Sequence, residues 1–78
     1  MKYTVVIERT PNNYAAYVPD LPGCVATANT RESLLEEIRE AIEFHIDGMR
    51  EDGETVPEPR ATSVMVEVAE SKGAGSDD

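Results

Sequence analysis

The sequence predicts a two-layer α+β domain with the element order β-β-β-α-β. Residues 30–52 repeat apolar side chains at the spacing of one helix face, and short runs of β-branched and aromatic residues are separated by turn residues. A chain of 78 residues has room for one domain, which we expect to cover residues 1–70. Residues 71–78 are rich in Gly and Ser and are expected to form a disordered tail.

The helix is predicted to run from Thr30, its N-cap, to a stop at Asp52 and Gly53. At about 100° per residue, one stripe of the helix collects the apolar side chains Leu34, Leu35, Ile38, Ala41, Ile42, Ile46 and Met49. Nearly opposite lie the carboxylates Glu32, Glu36, Glu40, Glu43, Asp47 and Glu51. The stripe indicates packing on a sheet. The acidic face is either solvated, as runs of charge usually are, or a docking surface.

The strands are bounded by turn and loop residues. Residues 19–23, Pro-Asp-Leu-Pro-Gly, should leave the sheet in an ordered loop, because proline donates no backbone hydrogen bond. A helical crossover commonly returns the chain parallel to an earlier strand, which predicts the sheet order 3-2-1-4. The predicted strands are residues 2–9, 14–18, 24–28 and 62–68.

The composition restricts the function. A formal net charge of −9, from 16 acids against 7 bases, argues against direct nucleic-acid binding and favours a basic partner. The single Cys24 cannot form an internal disulfide, and neither a metal-ligand spacing nor an apolar run of membrane length is present. These features predict a cytoplasmic protein without a metal, another cofactor or a membrane contact.

One motif points to a family. Residues 17–24, Tyr-Val-Pro-Asp-Leu-Pro-Gly-Cys, followed by Thr30, residues 40–42 and residues 57–59, resemble the HicB family of toxin-antitoxin proteins. The resemblance implies a domain like half of ribonuclease H, without its activity, that binds and silences HicA, a small basic ribonuclease that cuts messenger RNA. HicB antitoxins usually carry a further DNA-binding segment after this domain. We expect this sequence to lack it, so that operator binding would need another chain.

The sequence thus predicts a non-catalytic antitoxin that neutralises a basic HicA-type toxin. The alternative is a stand-alone acidic scaffold or oligomerisation module without a toxin partner. Ribonuclease H chemistry needs several carboxylates that converge on two metal ions. Glu8 ends the first predicted strand, Glu67 is the only acid in the fourth, and the helix acids face away from the packed side, so no tight acid cluster is predicted. The candidate toxin-binding residues are Asp20, Glu36, Glu40, Glu43 and Asp47, although Asp20 could equally cap its own loop.

A homo-oligomer, most simply a dimer, is also predicted. The fourth strand would leave an apolar backbone edge unpaired, and Phe44 lies about 120° from the centre of the apolar stripe. The candidate interface residues are Phe44, Val64, Val66 and Val68. Two other side chains are given structural roles: Cys24 is predicted to be a buried, unreactive thiol, and His45 to lie in the core or at its rim.

Overall fold

The computed structural model describes residues 1–69, in which three strands precede one helix. The sheet is antiparallel with β2 in its centre, and α1 packs on β2 and β3. The α+β class and the first four predicted elements are therefore confirmed. The predicted tail, residues 71–78, lies outside the described residues. The elements are β1 (Val6–Arg9), β2 (Tyr14–Tyr17), β3 (Val25–Ala28) and α1 (Arg31–Glu51).

Helix α1 covers one face of the sheet and leaves the other face open. Ile7, Ala16 and Ala26 are register partners across the three strands and pack in or against the core. Ala16 is buried, and small side chains at such positions let a helix approach the sheet closely. Successive side chains along a strand point to opposite faces, so the neighbouring row lies on the uncovered face. Tyr17 and Val25 belong to that row and are both exposed.

Helix α1 begins and ends where its capping residues predict. The Thr30 hydroxyl oxygen accepts a hydrogen bond from the backbone N–H of Ser33 at 3.1 Å, which satisfies one of the free donors of the first turn. At the other end the backbone N–H of Gly53 donates to Arg50, and that of Glu54 donates to Met49. Gly53 has φ +75°, so this is the Schellman arrangement that glycine favours.

Residues 18–24 form a closed loop that contributes directly to the core. The backbone N–H of Leu21 donates to Val18 at 3.0 Å, and that of Cys24 donates to Leu21 at 3.0 Å. Gly23 has φ +86°, a conformation that most other residues adopt only with strain. The loop buries Val18, Leu21 and Cys24 in one cluster with the helix side chains Leu34 and Ile38.

The predicted fourth strand and the order 3-2-1-4 are wrong for the described residues. The sheet order is β1-β2-β3, and residues 62–68 are in neither a strand nor a helix. Their alternating pattern suits a strand, but strand formation depends on a neighbouring edge and a surface to pack on. In the described part of the chain the segment pairs with no strand of the sheet.

Candidate partner-binding surfaces

The acidic face of α1 is fully open to solvent. Predicted toxin-binding residues Glu36, Glu40, Glu43 and Asp47 are all exposed, as are Glu32 and Glu51. Like charges four residues apart on a helix destabilise it by about 0.2–0.5 kcal/mol per pair. Helix stability therefore does not explain why these acids share one face. The structure brings the four helix carboxylates together on one rigid element, where their fields add.

An apolar groove runs between α1 and the residues that lead into β1. It has a volume of about 580 Å³. Leu35 was predicted to pack on the sheet, yet it is 43% exposed because α1 lies over β2 and β3 and leaves the side of β1 uncovered. Two charged residues, Arg39 and Glu43, also line the groove. The apolar lining consists of Met1, Tyr3, Val5, Leu35, Ile38, Ile42 and Ile46.

Asp20 binds within the chain. One oxygen of its carboxylate, Oδ2, accepts hydrogen bonds from the backbone N–H of Arg60 at 3.0 Å and of Ala61 at 2.9 Å. The Thr4 hydroxyl donates to the carbonyl of Ala61 at 2.6 Å. We call these three hydrogen bonds the latch, because they hold Arg60 and Ala61 next to Asp20 and to Thr4, which lies just before β1. A contact between Asp20 and a toxin stays a prediction.

The predicted interface residues are all exposed. Phe44 is 82% exposed, as its position on the helix predicted, and it borders a shallow depression with Pro22 and Met49. Val64, Val66 and Val68 are 81%, 72% and 75% exposed in the segment beyond the latch. The oligomer contact through the ring and the valines stays a prediction.

Cys24 and His45 have the structural positions that the sequence indicated. Cys24 is buried in the core cluster, and this burial raises the pKa of its thiol, since desolvation penalises the thiolate. A thiol in that state is a poor nucleophile. His45 is half-buried at the rim of the core, beside Phe44 and Met49. In residues 1–69 no three His, Cys, Asp or Glu side chains are grouped so that they could hold a metal ion.

Sequence reasoning missed two of these features. The latch joins residues 40 to 57 positions apart, so no local pattern could reveal the partners of Asp20. The groove was missed because the helix stripe was assigned entirely to packing on a four-stranded sheet. The available signal was the inward alternation of Tyr3, Val5 and Ile7, which extends the core beyond the part of the sheet that α1 covers.

Open surfaces on a two-layer fold define residues 1–69 as a small α+β interaction domain. A family model for the HicB-like antitoxin of bacterial toxin-antitoxin systems matches residues 3–75. The chain therefore belongs to the HicB-like antitoxin family, as the motif in residues 17–24 predicted. Among the described residues, no helix is long and apolar enough to cross a membrane.

Two individual relatives share much of this sequence. An uncharacterised 14.9 kDa protein from the rep-hol intergenic region of Haemophilus phage HP1 is 36% identical over 72 residues, which is 92% of this chain and 54% of the phage protein. The chain thus spans about half the length of that relative. A UPF0150 protein of Thermoplasma acidophilum is 36% identical over 67 residues, 85% of this chain and 97% of the archaeal protein.

A solved structure shows the same fold in a toxin-antitoxin assembly. A chain of a HicA3 and HicB3 toxin-antitoxin complex superimposes on this one with a TM-score of 0.66 and 28% sequence identity. The match covers 76% of this chain and 70% of the other.

Proposed function

We propose that this protein is a non-catalytic antitoxin that binds a small, basic, HicA-type toxin ribonuclease and neutralises it. The observation that carries the proposal is the likeness, at 28% identity, to a chain of a HicA3 and HicB3 toxin-antitoxin complex, together with membership of the HicB-like family. An antitoxin of this kind works in the compartment of its toxin, and the single cysteine favours the reducing cytoplasm.

The proposed contact surface is the acidic face of α1. A toxin that cuts RNA must hold phosphates with cations, and carboxylates fixed on a helix can compete with the RNA for those cations. Glu36, Glu40 and Glu43 are exposed on successive turns of α1, so they can meet a flat or convex basic surface together. A net charge of −9 would also steer the encounter over distances of about one Debye length.

The positions of the acids support neutralisation without catalysis. A two-metal nuclease site needs several carboxylates within reach of ions about 4 Å apart. Glu8 is exposed at the end region of β1, and Glu67 is exposed in the segment beyond the latch, which does not pair with the sheet. The helix acids are exposed, whereas Leu34 and Ile38 of the same helix are buried in the core. We therefore propose inhibition by covering the toxin surface.

The proposed docking face is tested by reversing charge at Glu36, Glu40 and Glu43 together. We expect the triple variant with lysine at these positions to bind a HicA-type toxin at least about tenfold more weakly, with a shallower dependence of the association rate on salt. The matched control reverses Glu8, Glu54 and Glu58, three exposed acids outside α1, and changes the net charge equally.

Three outcomes are informative in this comparison. Equal loss in both triple variants would show that only net charge matters, and the helix face would lose its role. Unchanged binding in the helix variant would return the acidic face to a solvated surface. Absence of toxin binding by the unaltered protein would contradict the antitoxin proposal and favour an acidic scaffold module.

A further inference from the structure

The segment beyond the latch exposes more apolar surface than a single soluble chain usually leaves in water. Val64, Val66 and Val68 would share one side of an extended segment, with Met65 and Glu67 on the other. Met65 is 96% exposed, and the three valines are each more than two-thirds exposed. Contiguous exposed apolar side chains of this kind mark interaction surfaces, and β-branched ones favour pairing with a strand edge.

A receiving surface of matching character is open on the same molecule. β1 pairs with β2 alone, so its other backbone edge has no partner in residues 1–69. Beside that edge lies the apolar groove, whose lining includes Tyr3, Val5, Ile42 and Ile46. A strand added to the free edge of β1 would place every second side chain over this groove.

We propose that two copies of this chain exchange residues 62–68, each placing its three valines in the groove of the other and pairing with its β1 edge. The single chain leaves both the segment and the groove open, although the latch holds Ala61 next to the first strand. An exchange between two copies fills both grooves and removes both edges at once. It closes as a two-fold dimer in which neither β1 edge is left unpaired.

Charge is compatible with this arrangement. Two copies of net charge −9 repel each other, so contact must be apolar and must keep the acids apart. Glu67 lies on the side opposite the valines and would face solvent, and the groove contributes one cation and one acid, Arg39 and Glu43. Apart from Glu43, the acidic face of α1 remains free for another partner. The inference therefore does not rest on toxin binding, and a dimer could form whether or not the proposed function holds.

Sedimentation equilibrium of the full chain at micromolar concentration tests the exchange. We expect a dimer for the unaltered protein and dimerisation weakened by at least about tenfold for Val66→Lys, because the exchange would bury an ammonium group in a mostly apolar groove. Met65→Lys adds the same charge to the other side of the same segment and should leave the dimer intact. Circular dichroism should show an unchanged helix in both variants, because neither residue packs in the core.

Disulfide trapping distinguishes exchange between copies from folding back within one copy. Leu35→Cys and Val66→Cys are made as separate proteins in a Cys24→Ala background and then mixed under oxidising conditions. Exchange predicts a covalent heterodimer, whereas the mixture of Leu35→Cys with Met65→Cys should give much less. A segment that closes on its own groove cannot link two separate proteins.

Several results would overturn the exchange. A clean monomer mass for the unaltered chain would end it, as would a dimer that survives Val66→Lys and dissociates in Phe44→Ser. The second result would move the interface to the exposed ring beside Pro22. Failure to trap the heterodimer, in protein that sediments as a dimer, would also contradict exchange and assign the contact to another surface.

Discussion

Leu21 is the side chain through which the motif loop stabilises the domain, and its truncation gives the sharpest test of the fold. Leu21 is 1% exposed and packs in the core cluster with Leu34 and Ile38. Replacing a buried leucine by alanine costs about 2–5 kcal/mol, from lost transfer free energy and the cavity left behind. At about 0.05–0.15 kcal/mol per residue, a chain of 78 residues has a total stability of about 4–12 kcal/mol. We therefore expect Leu21→Ala to remove a large fraction of the free energy of unfolding.

Urea unfolding followed by circular dichroism measures this loss, at one protein concentration for all variants because association also stabilises. Val25→Ala is the matched control, since Val25 is 63% exposed on the uncovered face of the sheet, and it should cost less than about 1 kcal/mol. Leu21→Met keeps the volume and should cost less than about 1.5 kcal/mol. An equal loss in Leu21→Ala and Val25→Ala would refute the conclusion that the loop belongs to the core.

Two further predictions follow from burial and from charge. Because burial raises the pKa of the Cys24 thiol, the native protein binds that proton more tightly than the unfolded chain does. The resulting stability is complete below the ordinary thiol pKa and is lost as pH rises through the raised pKa of Cys24. Urea titrations across that pH range should show no such loss for Cys24→Ala. An identical pH profile for the variant and the unaltered protein would contradict the prediction. The purified protein should neither cleave RNA nor shift duplex DNA at physiological salt, because its net charge is −9. Metal-stimulated RNA cleavage that persists through repurification and disappears in Glu67→Gln would contradict the prediction on cleavage. A gel shift of duplex DNA by this chain alone would contradict the prediction on DNA binding.

The sequence alone determined the elements whose causes are local. Helix α1 lies between its predicted caps because Thr30 and Gly53 act within a few residues of the backbone groups that they satisfy. The exposure of Phe44 and the acidic face followed from helical spacing. The motif in residues 17–24 identified the family, and the burial of Cys24 followed from its chemistry and its place directly before β3.

Tertiary structure decided what depends on residues far apart. The alternating pattern of residues 62–68 is real, but a strand needs an edge to pair with, and the sequence does not say whether that edge belongs to the same chain. The carboxylate of Asp20 accepts hydrogen bonds from the backbone N–H groups of Arg60 and Ala61, which only the folded chain brings within reach. The groove is open for the same reason, since side chains that share a stripe with Leu34 are buried only where strands lie beneath them.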